Sequence, residues 1–306
     1  MKATTYRQRA AWVNGLAHWT RDGTAYLSIA FTWRLNEARV LACHYRSLGF
    51  RIRAGGPATF RPHGYLADVA ELGGEIRDAI TRHNPDATIA SRGCPENCSF
   101  CIVPKLWGTA FTLIPDFVPR PILCDDNLSA LPVDYQNHII ERYIVAGVAL
   151  DDANSGFAPR AFDGGTYERW SRILRGPWRF GYDESKEREE VRAMMGLLRS
   201  RGVTPRKIQV YCMIGNEPIA DCLERIYEII RWGGEPYTQR QMKLNALKKE
   251  PWVKHDWTEE LLARVARYGA RRGWRGSGGT LRRFEEYDPS AKSRRRAAKS
   301  QRQLFP

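Results

Sequence analysis

The sequence predicts a mixed α/β protein in three parts: a small Rossmann-like domain, a parallel α/β core and a basic helical extension. Three observations predict it. Candidate strands and helices alternate along most of the chain, and a Gly-Gly-Pro turn closes an early strand–helix–strand unit. The positive charge is concentrated late in the chain. Of the net charge of +14 over 306 residues, the segment from Arg240 onward holds 18 Lys and Arg against 7 Asp and Glu.

Residues 1–84 are predicted to form the Rossmann-like domain. The apolar, β-rich segment 24–33 predicts a strand, and segment 35–49 predicts a helix that a glycine ends. Segment 50–60 alternates in polarity and then turns at Gly-Gly-Pro. This order of strand, helix, strand and glycine turn predicts a β-α-β unit.

Residues 85–245 are predicted to form the core, in which helices separate six strands. The predicted strands are 86–91, 121–126, 148–152, 178–183, 207–215 and 240–244. The predicted helices are 133–147, 166–174, 184–202 and 218–234. Strict alternation predicts a parallel sheet with right-handed crossovers, and reactive groups gather at the carboxyl ends of such strands.

Residues 246–306 are predicted to form the basic extension. A helix is expected from Thr258, which is a suitable N-cap ahead of two glutamates. Arginines mixed with tryptophans suit phosphates and stacked bases, and they equally suit ordinary packing with a solvated rim. Segment 291–303 carries six positive charges and no negative ones, which predicts disorder and weak, salt-sensitive affinity for nucleic acid. A tail that only aids solubility is the alternative.

Cys94, Cys98 and Cys101 form C-x-x-x-C-x-x-C directly after the first core strand. Three thiolates within eight residues can hold three corners of a cubane iron–sulfur cluster and leave the fourth iron open. A zinc site completed by Cys124 or a histidine is one alternative, and a purely structural cluster is another. Structural zinc commonly takes two spaced pairs of ligands, and the sequence has no second C-x-x-C pair.

The cysteine motif, with Phe100 before its last cysteine and Arg-Gly before its first, resembles the signature of the radical S-adenosylmethionine (radical SAM) superfamily. The resemblance implies a partial (β/α)6 barrel and a [4Fe–4S] cluster on Cys94, Cys98 and Cys101. It also implies S-adenosylmethionine at the open iron and an external reductase such as flavodoxin or ferredoxin. In this family, cleavage of S-adenosylmethionine yields a 5′-deoxyadenosyl radical that abstracts hydrogen from a substrate.

The resemblance further implies contacts to S-adenosylmethionine at the strand ends. Phe100 would lie against the adenine. Asp125, Asp126 and Asn127 stand where the family usually has a Gly-Gly-Glu triplet that binds the amino group, and this chain lacks that triplet. Arg160 is a candidate partner for a carboxylate. The remaining implied contacts follow the fourth and fifth strands: Tyr182, Asp183, Gly215, Asn216 and Glu217.

The first domain resembles the cobalamin-binding domain that precedes many radical SAM cores. No Asp-x-His-x-x-Gly motif is present to supply a cobalt ligand, so bound cobalamin is not expected. His44, His63 and His83 are isolated and are expected at the surface or in loops. Methylthiotransferases resemble one another in having an N-terminal domain with three cysteines. Only Cys43 precedes the motif here, so a methylthiotransferase is disfavoured.

The sequence has no apolar run long enough to span a bilayer, and its start lacks the apolar core of a signal peptide. Seven cysteines, three of them in a motif that needs free thiolates, predict a reducing, cytoplasmic location. The scattered cysteines are expected to be small buried residues: Cys43, Cys124, Cys212 and Cys222. The predicted function is a radical SAM enzyme acting on a base in DNA or RNA. The alternatives are a small-molecule or peptide substrate, or a nucleic-acid-binding protein with a structural metal.

Overall fold

The computed structural model describes residues 12–60, 64–73, 79–154, 156–276, 278 and 280–289. The chain divides into two compact units, one comprising Met1–Phe180 with Met242–Glu250 and the other Gly181–Gln241 with Pro251–Pro306. The described residues form a mixed α/β protein with several small sheets, eight α-helices and no closed barrel. Within them, no helix has both the length and the hydropathy that a bilayer span requires. The domain boundaries predicted at residues 84 and 245 stay predictions.

The first unit begins with a four-stranded sheet and one helix. In chain order these elements are β1 (Leu16–Arg21), β2 (Thr24–Ile29), α1 (Leu35–Ser47), β3 (Arg51–Gly55) and β4 (Glu71–Leu72). β1 is antiparallel to β2, whereas β2, β3 and β4 pair in parallel. The predicted strand–helix–strand unit is therefore confirmed, and β1 is a strand that the sequence analysis missed.

The α1 helix buries a stripe of small and apolar side chains on the sheet. Leu35, Ala38 and Ala42 are fully buried, and they pack in one cluster with Ile29 of β2. Burying a side chain such as leucine or isoleucine stabilises the fold by about 1.5–3 kcal/mol. The turn after β3 requires its glycine. Gly56 has a φ of 98°, and a Cβ there would lie 2.6 Å from the Ile29 carbonyl oxygen.

A helix, three short strands and a second helix follow. They are α2 (Ala79–His83), β5 (Ala87–Thr88), β6 (Ser91–Arg92), α3 (Val103–Trp107) and β7 (Thr112–Leu113). β6 and β7 pair in antiparallel fashion, so they form the base of the loop that contains the cysteine motif.

The strand predicted at 86–91 is divided into β5 and β6. The cause is Ala90, whose amide donates to the Asp125 carboxylate at 2.7 Å and whose carbonyl accepts from the Tyr135 hydroxyl at 2.6 Å. The Ala90 carbonyl also accepts from the Ile114 backbone amide at 2.8 Å, so it is the amide, taken by the Asp125 side chain, that is lost to the strand just before the cysteine loop.

The rest of the first unit alternates strands and helices. It contains β8 (Ile122–Leu123), α4 (Val133–Ala146), β9 (Asp152–Ala153), α5 (Gly164–Ser171) and all but the last residue of β10 (Trp178–Gly181). β5, β8 and β9 form a parallel sheet in that order. As predicted, α4 begins after a proline and ends at a glycine in the left-handed conformation.

In its described residues, the second unit has three α-helices and two complete strands. They are α6 (Arg188–Ser200), β11 (Ile208–Ile214), α7 (Ile219–Arg231), β12 (Glu235–Arg240) and α8 (Glu259–Ala270). β11 and β12 pair in parallel over six residues, and α7 connects them.

The sixth strand predicted at 240–244 is wrong. The strand is β12, which begins right after the two glycines that follow α7 and ends at Arg240. Pro236 lies within it, opposite Val210 of β11. Proline is normally excluded from strand interiors, so Pro236 argues locally against a strand at residues 235–240.

The helix predicted from Thr258 is confirmed. Thr258 Oγ1 accepts a hydrogen bond from the Leu261 amide at 3.2 Å, as an N-cap should. Leu262, Val265 and Tyr268 are fully buried, whereas Leu261 is only partly buried. Segment 291–303 lies outside the described residues.

The tryptophans of the basic extension are mostly core residues. Trp257 and Trp274 are buried, and only Trp252, 38% exposed, is open to solvent. Lys254 Nζ lies 3.4 Å from the centre of the Trp252 ring. Trp257 and Trp274 therefore follow the alternative of ordinary packing, because burial of their large rings stabilises the fold and leaves no open face for a base.

Two expectations for scattered residues are corrected. Cys43 is exposed rather than buried, because it follows buried Ala42 and so lies on the solvent side of α1. His83 is buried rather than at the surface, and its Nε2 lies 2.9 Å from Ser28 Oγ. His44 is exposed as expected, and His63 lies outside the described residues. The other scattered cysteines are buried, as predicted: Cys124, Cys212 and Cys222.

Candidate functional site

The cysteine motif lies in an irregular loop between β6 and α3. Cys94, Cys98 and Cys101 are free thiols, and each is partly exposed. Across the described part of the chain, no three His, Cys, Asp or Glu side chains are grouped so as to hold one metal ion. Cubane iron–sulfur clusters are held by cysteine thiolates. The loop supplies three such sulfurs, and its one carboxylate, Glu96, lies 3.2 Å from the Arg160 guanidinium.

Two of the three sulfurs face N–H groups. Asn127 Nδ2 lies 3.4 Å from Cys94 Sγ, and the Val103 amide lies 3.5 Å from Cys101 Sγ. Such hydrogen bonds tune the reduction potential of iron–sulfur clusters. Burial raises the pKa of the Cys101 thiol, so cluster binding would release a proton from it. The loop therefore has the ligand type that an iron–sulfur cluster takes, while its three thiols are not grouped around one point in the described structure.

Local contacts fix the backbone of the loop. Gly93 has a φ of 101°, and a Cβ there would lie 2.2 Å from the Ala110 carbonyl oxygen, so only glycine fits. Lys105 Nζ donates to the carbonyl groups of Ser99 and Cys101, both at 3.0 Å. The loop is thus held at its entry and at its exit.

Asp125 binds the segment that leads into the loop. Its carboxylate is fully buried and accepts from the Ala90 amide at 2.7 Å and from the Ser91 hydroxyl at 2.5 Å. Burial raises the pKa of Asp125 to about 7, although both hydrogen bonds act in the opposite direction. Both carboxylate oxygens of Asp125 are therefore bonded within the protein.

Asp126 and Asn127 continue this arrangement. Asp126 accepts from the Gly93 amide at 2.8 Å and lies 4.0 Å from the Arg92 guanidinium, while Asn127 contacts Cys94 Sγ. We call Asp125, Asp126 and Asn127 the loop clamp. The structure brings the clamp and the cysteine loop together, with each clamp residue bonded to a residue between positions 90 and 94.

Two further candidates lie on or near the loop. Phe100 is partly exposed. Arg160, a candidate partner for a carboxylate, lies 3.2 Å from Glu96 of the loop itself. Arg160 therefore contacts a carboxylate that belongs to the protein.

The remaining candidates lie in the second unit, where three of them contact the side chain of Arg225. The Tyr182 carbonyl accepts from Arg225 at 2.7 Å, and Asn216 Oδ1 accepts from it at 3.3 Å. Glu217 Oε2 lies 3.0 Å from Arg225 Nε. Asn216 also donates to the Asp183 carbonyl at 2.5 Å. Hydrogen bonds and an ion pair therefore link these polar residues to one another through Arg225 and Asn216.

Side chains of this group have further partners. The Tyr182 ring is buried, and its hydroxyl donates to Glu228 at 2.7 Å. Burial, with a smaller contribution from nearby Glu187, raises the pKa of Asp183 to about 7. Gly215 has a φ of 90°, which favours glycine, and a Cβ there would lie 3.0 Å from Leu262.

Arg225 is a residue that the sequence analysis missed. It is fully buried, and two of its nitrogens lie 3.2 Å from the sulfurs of Cys212 and Cys222. Burial acts to lower its pKa, but these thiols and Glu217 raise the pKa overall. A signal was available, because Arg225 lies three residues after Cys222 and beside Ile226, on the apolar face of α7.

A pocket of about 540 Å³ opens in the first unit. The β-α-β unit, α2 and the segments flanking the cysteine loop all contribute residues to it, among them Trp12, Gly15, Ser28, Phe31, Gly56, His83, Arg92, Trp107 and Asn154. Sequence reasoning missed the pocket because its walls come from segments far apart in the chain. No protein-family model matches the chain, and no curated protein matches it significantly.

Proposed function

We propose that the chain is a radical SAM enzyme in which Cys94, Cys98 and Cys101 hold a [4Fe–4S] cluster within a partial (β/α)6 barrel. The observation that supports it most is a loop of three free thiols, two facing N–H donors, that the clamp holds from a neighbouring strand end. When bound, the cluster and S-adenosylmethionine supply a 5′-deoxyadenosyl radical that abstracts hydrogen from the substrate. An external reductase such as flavodoxin or ferredoxin provides the electron.

In this proposal the loop clamp positions the thiols. Asp126 and Asn127 bond to Gly93 and Cys94, so they set where the first thiol lies. Asp125 holds the preceding residues and is fully buried. Amino-group binding by this triplet is therefore not part of the proposal. Phe100 remains the proposed adenine contact, since it is partly exposed on the cysteine loop.

The strand order supports the barrel part of the proposal. β5, β8 and β9 are parallel neighbours, and α4 connects β8 to β9. A parallel pair joined through a helix is the repeating unit of β/α barrels. The clamp follows β8, at the carboxyl end where barrel enzymes gather their reactive groups.

A nucleic-acid substrate, engaged by residues 246–306, is the proposed partner of this chemistry. Part of the charge in that segment is already neutralised: Arg272 and Arg275 bond to Glu235 at 2.5 Å and 2.6 Å. The proposal therefore depends on the other cations of the segment. A small-molecule or peptide substrate is the second candidate, since the first unit contains a pocket of small-molecule size.

Cleavage of S-adenosylmethionine tests the proposed activity. The protein is reconstituted with iron and sulfide without oxygen, reduced with dithionite and given S-adenosylmethionine, and 5′-deoxyadenosine is measured by mass spectrometry. Cys94→Ser, Cys98→Ser and Cys101→Ser should abolish the product. Cys43→Ser, at an exposed cysteine on α1, is the matched control and should retain it. A wild-type protein that forms no 5′-deoxyadenosine contradicts the proposal.

A further inference from the structure

Three aromatic side chains line part of the pocket in the first unit. Its volume of about 540 Å³ falls within the range of about 300–1,000 Å³ that small-molecule sites occupy. Trp12, Phe31 and Trp107 line it, and the first two are 37% and 42% exposed. The Phe31 ring rests on Gly15, where a Cβ would lie only 2.2 Å from it. Exposed aromatic faces in a concave site offer stacking surfaces for a planar ligand.

A small number of polar groups accompany these rings. Arg92 lies with its guanidinium carbon 5.6 Å from the centre of the Trp107 ring. His83 bonds to Ser28 at 2.9 Å, and burial lowers its pKa, so the imidazole is neutral near pH 7 with one donor and one acceptor nitrogen. Planar walls with a few donors and acceptors match a nucleobase, which has two π faces and a polar edge.

A positive charge accompanies the aromatic side chains beside the pocket. Phe31 stacks on Trp33 with ring centres 4.6 Å apart and an interplanar angle of 11°. Lys249 Nζ lies 5.6 Å from the centre of the Trp33 ring. Cations next to stacked aromatic rings are the composition with which proteins bind unpaired nucleotides.

We propose that this pocket binds a nucleobase, carried by a free nucleoside or nucleotide or by an unpaired position of a nucleic-acid strand. Arg92 and Trp107 also flank the cysteine loop, so a wall of the pocket continues into the proposed cluster site. Assignment of the bound base as the substrate rests on the proposed function. Binding itself can be measured without it.

Binding is measured with the reconstituted full-length protein. The probes are adenosine, guanosine, cytidine, uridine, their 5′-monophosphates, and short single-stranded RNA and DNA of mixed sequence. Quenching of tryptophan fluorescence and anisotropy of labelled strands report affinity. Phe31→Ala removes a stacking face and should weaken binding about tenfold. Ala30→Leu, at a pocket-lining position, should weaken it by filling space. Leu48→Ala, at an exposed leucine of the same unit, should leave it unchanged.

The outcomes separate the two sources of the base. Binding of free nucleosides or nucleotides identifies a small-molecule site, and binding of strands alone identifies an unpaired base in nucleic acid. Absence of binding by every probe overturns the inference, and so does an affinity that Phe31→Ala and Ala30→Leu leave unchanged. S-adenosylmethionine contains adenine itself. Because its adenine is proposed to contact Phe100 on the cysteine loop, the affinity for S-adenosylmethionine should stay constant in both variants. If Phe31→Ala and Ala30→Leu weakened it as much as they weaken base binding, the pocket would hold the adenine of S-adenosylmethionine rather than a separate base, and the inference would be overturned.

The proposed function is tested apart from the pocket in the same samples. Base binding without formation of 5′-deoxyadenosine contradicts the radical SAM proposal and leaves the pocket assignment intact. Formation of 5′-deoxyadenosine without base binding contradicts the pocket assignment alone.

Discussion

Replacement of Asp126 by alanine tests whether the loop clamp sets the geometry of the cysteine loop. The carboxylate is 10% exposed, accepts from the Gly93 amide at 2.8 Å and lies 4.0 Å from the Arg92 guanidinium. A hydrogen bond to a charged group contributes about 1.5–3 kcal/mol, and an ion pair of this length adds little. The variant should therefore lose about 2 kcal/mol of unfolding free energy. It should also retain less iron, because Gly93 directly precedes Cys94.

The assay combines urea unfolding with iron analysis after anaerobic reconstitution. Asp126→Asn keeps an acceptor oxygen and should fall between the wild type and the alanine variant. Asp134→Ala removes an exposed aspartate from the first turn of α4 and should cost no more than about 1 kcal/mol, with normal iron content. If Asp126→Ala matched the wild type in both unfolding free energy and iron content, the clamp would not position the loop.

Three further predictions concern the second unit and the basic tail. Burial raises the pKa of Asp183 to about 7, so its contribution to stability is complete below about pH 4 and is lost as the pH rises through 7. Asp183→Asn should gain up to about 3 kcal/mol of unfolding free energy relative to the wild type between pH 5 and pH 8 in urea unfolding, and an equal dependence of unfolding free energy on pH in both proteins would contradict this. Glu235→Ala leaves two partly exposed arginines unpaired and should cost about 2 kcal/mol in thermal unfolding. Glu260→Ala, at an exposed position, is its control, and an equal loss in both would refute the argument. Removal of residues 290–306 takes away six positive charges and should lower the slope of log affinity against log salt for single-stranded RNA by up to about 4. An unchanged slope would show that the tail does not bind.

Helices were predictable where local chemistry determines them. α4 lies between a proline and a left-handed glycine, and α8 begins at the N-cap Thr258, all recognisable in the sequence. Strands were less predictable. β5, β8 and β9 are each two residues long, and the Ala90 amide after β5 donates to the Asp125 carboxylate rather than to a neighbouring strand. The position of Pro236 in β12 depends on pairing with β11, which no local pattern reveals.

At the candidate site, the sequence identified residues of the site, but it did not reveal their contacts. The spacing of the cysteines identified the loop, and strand ends identified Asp125, Asp126 and Asn127. Their bonding to residues 90–94 depends on contacts across more than 30 positions in the chain. The buried Arg225 was overlooked for a similar reason, since its partners come from β11 and the segments that follow β10 and β11.

The metal content of protein purified without oxygen shows whether Cys94, Cys98 and Cys101 hold an iron–sulfur cluster. The account predicts a brown protein in which iron and acid-labile sulfide are present in equal amounts, at four of each per chain when the site is full. It also predicts that Cys94→Ser, Cys98→Ser and Cys101→Ser each lose this iron, while Cys43→Ser keeps it. A colourless protein that holds one zinc ion and no sulfide would contradict the account.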